Sequence, residues 1–404
     1  MKLILIVILP IICAAAIYAL VKKRSAKRLL LSVLLLAACA LSEVVLGSLY
    51  MLEKDKIVSR PENLGSPYFE IYDSERIHSR LAEDMAVFDG KLYVGGGDYD
   101  ANTGPVTVMS YDLERGEWES SAEALDDEQI KRFRVLGGEL VILGTDPKGD
   151  WSMGNYYRLF DGGWETLRVL PSGIHCFDAR EYGGFVFFAL GVNSGDYPIT
   201  RYDGKNYEML RFYKDGALLD TSVYETIRVY NLFEFRGELF AFLTLDYVKE
   251  DGTKDYFMDL YRYVGDGFEF VSGSLPATDI PDVVVLGETA CFVMNNALIT
   301  SQNLTEFSAV NVGKGVRVVD IMEFEGKAYI LAAQKANDSR YESMVFEVFE
   351  DGSTEKIFGF YAHNGPGSFC RDSDAFYVSM GRRGGVFDSA SAGNVFKVAL
   401  EDLR

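Results

Sequence analysis

Met85–Gly97 reads MAVFDGKLYVGGG. Apolar residues alternate up to Asp89-Gly90, and a second alternating run starts at once. Alternation suits a strand, whose successive side chains point to opposite faces. Asp-Gly between two such runs is a strong hairpin signal. The pattern recurs as FRVLGGELVILG from Phe133, AREYGGFVFFALG from Ala179 and LFEFRGELFAFL from Leu232. It returns as VVVLGETACFVM from Val283, IMEFEGKAYILA from Ile321 and CRDSDAFYVSMG from Cys370. The turn positions are Gly90, Gly138, Gly184, Gly237, Gly287, Gly326 and Asp374, spaced 39 to 53 residues apart. Strand alternation at a period near 50 predicts an all-β chain, a seven-bladed β-propeller.

The second half of each unit repeats as well. SYDLERGEWES from Ser110, YRLFDGGWETL from Tyr157, TRYDGKNYEML from Thr200 and YRYVGDGFEFV from Tyr261 each place a turn between two strand-like runs. Four strands per unit follow. The seventh unit ends at Asn394–Leu400 without a fourth. The segment PYFEIYD, Pro67–Asp73, is expected to supply it. A strand borrowed from the other end of the chain removes a free sheet edge.

The marks Gly95-Gly96, Tyr111 and Trp118 in the first unit, with Trp164 in the second and Tyr202 in the third, give residues 67–404 a resemblance to the kelch-like propellers, including that of galactose oxidase-type proteins. The resemblance implies the fold. It also implies a class with many protein- and glycan-binding modules and few enzymes. The metal ligands of galactose oxidase-type proteins have no matching positions here.

The N-terminus reads as membrane anchor. Leu3–Leu20 is uncharged and apolar, and Leu29–Leu52 is a second such run, broken only by Glu43. Each is long enough to cross a bilayer core of about 30 Å as a helix. Lys22, Lys23, Arg24, Lys27 and Arg28 lie between them, and the positive-inside rule puts that loop (22–28) in the cytoplasm. Residues 1–52 are thus expected to form a transmembrane α-helical hairpin inserted through residues 3–52, and 53–66 a linker. Two other readings stand beside this one. Leu36-Ala37-Ala38-Cys39 has the form of a lipobox, and the first run has the form of a signal peptide. All three put the propeller on the extracytoplasmic side of the cell membrane. Glu43 is either at the outer interface or a functional acid within the span.

Charge is unevenly placed. Residues 1–58 carry +5 and residues 59–404 carry −25. So acidic a domain lacks the basic footprint that nucleic-acid binding needs. Cys176, Cys291 and Cys370 are far apart and odd in number, which implies buried thiols and no disulfide framework. No Cys-x-x-Cys or His-x-x-x-His pair suggests a metal, and no dinucleotide or phosphate-binding fingerprint suggests a cofactor. None is expected.

Three features point to a working face. First, six residues before each turn stand Asp84, Arg132, Asp178, Asn231, Pro281, Asp320 and Ser368. They predict a polar ring at a channel mouth, or simply a wetted channel. Arg134 and Arg180 lie two residues further along, on the same side. Second, Gly97-Asp98-Tyr99, Gly149-Asp150-Trp151 and Gly195-Asp196-Tyr197 repeat in the loops between second and third strands. An aromatic ring beside a carboxylate suits a sugar, whose face stacks while its hydroxyls donate. Gly-Asp is equally ordinary turn chemistry. Asp98, Asp100 and Asn102 alternate like a calcium loop but lack its distal Glu. Third, His78, His175 and His363 each precede an inner strand, at unequal offsets.

The expectation is a ligand-binding module for a glycan or a protein partner. The alternatives are a structural subunit of a membrane-protein complex, whose hairpin packs through its small residues, and a glycan hydrolase or lyase using the carboxylates Asp84, Asp178 and Asp320.

Overall fold

The computed structural model describes residues 56–403, apart from 73–77, 98–100, 103, 149–152, 168–169, 171, 194, 249–250, 276–281 and 382–388. Both expected membrane spans lie outside the described residues. Among the described residues, no helix is long and apolar enough to cross a membrane. The chain divides, its last two residues aside, into two compact units, Met1–Ser59 and Arg60–Asp402. The described residues of the second form the strands given below and short 3₁₀ turns.

Each unit's inner hairpin forms where the sequence placed it. The inner strands are Asp84–Phe88, Asp127–Leu136, His175–Tyr182, Thr226–Phe235, Val283–Leu286, Arg317–Phe324 and Pro366–Arg371. In five hairpins both turn residues have positive φ: Asp89-Gly90, Gly137-Gly138, Gly183-Gly184, Arg236-Gly237 and Glu325-Gly326. That is the type I′ geometry, whose twist matches the flanking strands. Each hairpin continues outward as an antiparallel meander, for example Met109–Asp112 and Glu117–Ser120 in the first unit. Successive inner strands touch one another, and Pro366–Arg371 touches Asp84–Phe88, so the circuit closes.

Three meanders join into one sheet. His175 pairs with Thr145, and Gly191–Asn193 pair with Thr226–Arg228. An added strand, Arg211–Lys214, runs parallel to the edge strand Gly267–Leu275.

The core lies between neighbouring meanders, where aromatic rings meet. Tyr93 and Trp164 stand 5.9 Å apart, Tyr156 and Phe188 5.1 Å, Phe242 and Phe292 5.2 Å, and Tyr329 and Phe376 5.3 Å. Phe188, Phe242 and Phe292 are fully buried. Each such side chain stabilises the fold by about 1.5–3 kcal/mol. Cys176, Cys291 and Cys370 are buried thiols in these layers.

The closing strand differs from expectation. Glu62–Gly65, within the expected linker, pairs antiparallel with Val395–Ala399 and completes the last sheet. Pro67–Asp73 does not. Its described residues form turns, with Phe69 N–H donating to Ser66 O and Tyr72 N–H to Tyr68 O. Tyr68 and Tyr72 therefore face the same side and are buried, while Phe69 and Ile71 are exposed. Close packing against Tyr68 and Ile130 explains the double glycine. A Cβ on Gly96 would stand 2.6 Å from the Tyr68 ring, and one on Gly95 2.7 Å from Ile130.

Candidate functional site

The inner strands enclose a cavity of about 630 Å³. Ligand sites typically fall in the range of roughly 300–1,000 Å³. Asp84, Arg132, Arg134, Arg180, Asp282 and Asp320 supply charged groups to its wall.

Bulges decide which residues reach that position. Register shifts fall between Ile130 and Arg132, Cys176 and Asp178, Val229 and Asn231, and Val318 and Asp320. A bulge re-aims the side chain beside it. In each case the polar residue named from the sequence stands just after the bulge.

Two positions need correction. Leu286 pairs with Thr289, so the fifth turn is Gly287-Glu288. The residue six before its second turn position is Asp282, whereas Pro281 lies outside the described residues. In the seventh unit Arg371 pairs with Phe376, across a four-residue loop. Counting six back from Asp374 therefore slips the register. Ser368 is buried, and its N–H donates to Ser379 Oγ at 2.9 Å.

The carboxylates of this ring hold backbone. Asp84 accepts the N–H of Met85 at 2.9 Å and, with its other oxygen, that of Phe133 in the next inner strand at 2.8 Å. Asp178 repeats the device with Ala179 at 2.9 Å and Leu232 at 2.8 Å. Asp282 and Asp320 each cap the N–H of the following residue, at 2.8 and 3.0 Å.

Arginines complete the arrangement. Arg134 Nε donates to Asp178 Oδ1 at 2.7 Å, and its Nη2 stands 3.1 Å from Asp282 Oδ2. The second contact is an ion pair off line for a hydrogen bond. Arg132 Nη1 lies 3.8 Å from Asp178 Oδ1. Burial alone would raise the Asp178 carboxyl, but Arg134, Arg132 and Arg180 outweigh it and hold it below the usual carboxylate value. Asp84 shifts the other way. Burial raises it despite the Phe133 N–H and the two nearby arginines. The pair of environments pushes two similar acids apart.

Asp84, Arg132, Arg180 and Asp320 line one cavity. Asp178 is fully buried behind the wall, and Asn231 is fully buried too; neither lines the cavity. Asp178 is drawn inward by Arg134 and the Leu232 N–H. Arg134 and Asp282 complete the charged set. The sequence signal for Asp282 was its place six before Glu288, once the turn is assigned.

Asp98, Tyr99, Asp150 and Trp151 lie outside the described residues. Asp196 is exposed, with its N–H on Asn193 O at 3.2 Å, in a turn where Gly195 has φ +89°. Asp196 and the half-buried Tyr197 do not line this cavity. The histidines have separate neighbours. His78 caps a 3₁₀ turn through its carbonyl, His175 stacks on Phe177, and His363 Nδ1 lies 3.2 Å from Ser339 O. Among the described residues, no group of three or more His, Cys, Asp or Glu is placed to hold a metal.

No protein-family model and no curated protein matches this chain. Solved structures do. Selenomethionine-substituted virginiamycin B lyase from Staphylococcus aureus is 11% identical with a TM-score of 0.50, over 84% of this chain and 99% of that one. The chain has a β-propeller fold. A catalytically inactive variant of that S. aureus lyase, with quinupristin, is 12% identical at a TM-score of 0.43, over 78% of this chain and 94% of its own. A luciferin-regenerating enzyme is 10% identical at 0.40, over 78% of this chain and 90% of its own. Identities this low speak to the fold alone.

Proposed function

We propose that this chain is a membrane-anchored, seven-bladed, kelch-like propeller that binds a glycan or protein ligand outside the cytoplasm. The closed circuit of inner strands supports the blade number. The Gly95-Gly96, Tyr111 and Trp118 set supports the kelch-like type. Tyr111 and Trp118 pack edge to face at 5.0 Å, and Trp118 Nε1 donates to Leu64 O at 2.6 Å. The apolar runs within residues 3–52 and the basic loop 22–28 support the anchor and its orientation.

One observation carries the binding reading over hydrolysis. Asp84 and Asp178 each use both oxygens to hold backbone N–H groups of two adjacent inner strands. A general acid or base needs an oxygen facing the substrate. These carboxylates serve instead to fix the wall of a preformed cavity, which is what recognition requires.

The test uses the full-length protein in detergent micelles on an immobilised polysaccharide panel, with retention and product release read together. Retention without release is expected. Product release that is lost in Asp84→Asn would replace binding by catalysis. Failure to retain any polysaccharide would leave a protein ligand, sought by cross-linking in the intact membrane.

A further inference from the structure

We infer that the central cavity recognises a sugar acid, with its carboxylate held by Arg180; this rests on the binding reading above. Arg180 lies two residues beyond Asp178 on the third inner strand and lines the cavity. Its Nε is buried without a hydrogen-bond acceptor. Asp178 interacts with it through charge. Yet that carboxylate already takes Ala179 N–H, Arg134 Nε and Leu232 N–H. Arg134, by contrast, hydrogen-bonds Asp178 and is ion-paired with Asp282, although its Nη2 lacks a hydrogen bond too. The difference between the two arginines points to a ligand for one of them.

The chemistry of that ligand follows from the wall. A guanidinium is planar and forked, and matches a carboxylate through two parallel hydrogen bonds. Lys131, Arg132 and Arg134 on the second inner strand join Arg180 on the third. They form a cationic stretch of a wall to which Glu83, Asp84 and Glu234 also contribute carboxylates. Asp282, Asp320 and Glu323 line the cavity from the fifth and sixth inner strands. Carboxylates accept hydrogen bonds from hydroxyl groups. A ligand with one carboxylate and several hydroxyls meets both walls, and a cavity of about 630 Å³ is large enough for one.

The experiment is calorimetric titration of the full-length protein in detergent with D-glucuronate and with D-glucose. A hydrogen bond to a charged group contributes about 1.5–3 kcal/mol, so glucuronate should bind at least about tenfold tighter than glucose. Arg180→Gln should abolish that preference. Arg180→Lys should keep part of it, because the charge remains and the fork is lost. A melting curve on each variant separates lost recognition from lost folding, and Arg180→Lys alone suffices if Arg180→Gln does not fold. Equal affinity for the two sugars overturns the inference but leaves a neutral glycan module standing. A glucuronate preference that survives both substitutions also overturns it. Binding of neither sugar removes the sugar-acid site and sends the search to a protein ligand.

Discussion

The carboxylate of Asp178 accepts the backbone N–H of Leu232 at 2.8 Å, bonding the third inner strand to the fourth. The same carboxylate holds Arg134 at 2.7 Å and stands 3.8 Å from Arg132. Removing it strands buried positive charge beside an unpaired N–H. Asp178→Ala should therefore destabilise the domain by about 3–5 kcal/mol, read as a fall in melting temperature. Asp178→Asn, which keeps an acceptor, should cost less. The folded carboxyl is held below its ordinary value, so this stability is present above that value and is lost as the pH falls through the folded one. The alanine variant should show less acid sensitivity than the wild type.

Gly96 has no positive φ, so its need for glycine is purely steric. The ring of Tyr68, fully buried, occupies the place of a Cβ at 2.6 Å. The Tyr68 hydroxyl is fixed by Val94 O and Thr107 O, each at 2.9 Å, so the ring cannot withdraw cheaply. Overpacking of this kind costs about 1–3 kcal/mol. Gly96→Ala should lower the melting temperature, and Gly96→Ala combined with Tyr68→Leu should recover part of the loss. If the double variant is simply additive, the contact is not the cause.

The inner hairpins were legible because their turns demand unusual backbone. Asp89-Gly90 and Gly183-Gly184 both need two positive φ values, and only a few residue types supply them. The polar ring was legible for the same reason, since it is counted back from those turns. Where the turn departs from type I′, the count fails. Gly287 takes the first turn position instead of the second, which moved the assignment from Asp282 to Pro281. The segment Pro67–Asp73 misled for another reason. Tyr68, Phe69, Ile71 and Tyr72 look like a strand by composition, yet Tyr68 and Tyr72 sit on one side of successive turns. ENLG, the true closing strand, has no apolar alternation at all. Its place is set by pairing with Val395–Ala399 and by Trp118, neither of which is local in sequence.

That closing strand should be the weak point of the ring. Asn63 pairs with Phe396, at the middle of a short edge. Asn63→Pro fixes φ at a paired position and restricts the residue before it. Loss of the strand would expose Val395–Ala399 as a free edge, which templates association. The expected result is faster amide exchange across Val395–Ala399 and concentration-dependent aggregation below the wild-type melting temperature. Unchanged exchange there would mean the ring is closed by packing rather than by this ladder.

Asp127 supplies a pH dependence of opposite sign to that of Asp178. It is fully buried, accepts from Asn155 Nδ2 at 2.8 Å and from the Tyr157 hydroxyl, and burial pushes it up from 3.8 to about 7. The folded state then binds a proton that the unfolded state has released. Stability is highest below the unfolded value and falls as pH rises towards 7, levelling off above it. His175 works against this at lower pH. Burial holds it down from 6.5 to about 4, so its contribution rises with pH between those values and levels off above 6.5. Asp146, raised to about 6 by burial, has completed most of its change by then. Comparing the wild type with Asp127→Asn between pH 6.5 and 8 subtracts the contributions of His175, Asp146 and Asp84 and leaves that of Asp127. Across that window the wild type should lose about 1 kcal/mol of stability, and Asp127→Asn should lose much less. Denaturant unfolding followed by tryptophan fluorescence at the two pH values reads the difference directly. Parallel losses in both proteins would show that Asp127 is already ionised in the fold, stabilised by its two donors rather than held neutral by burial.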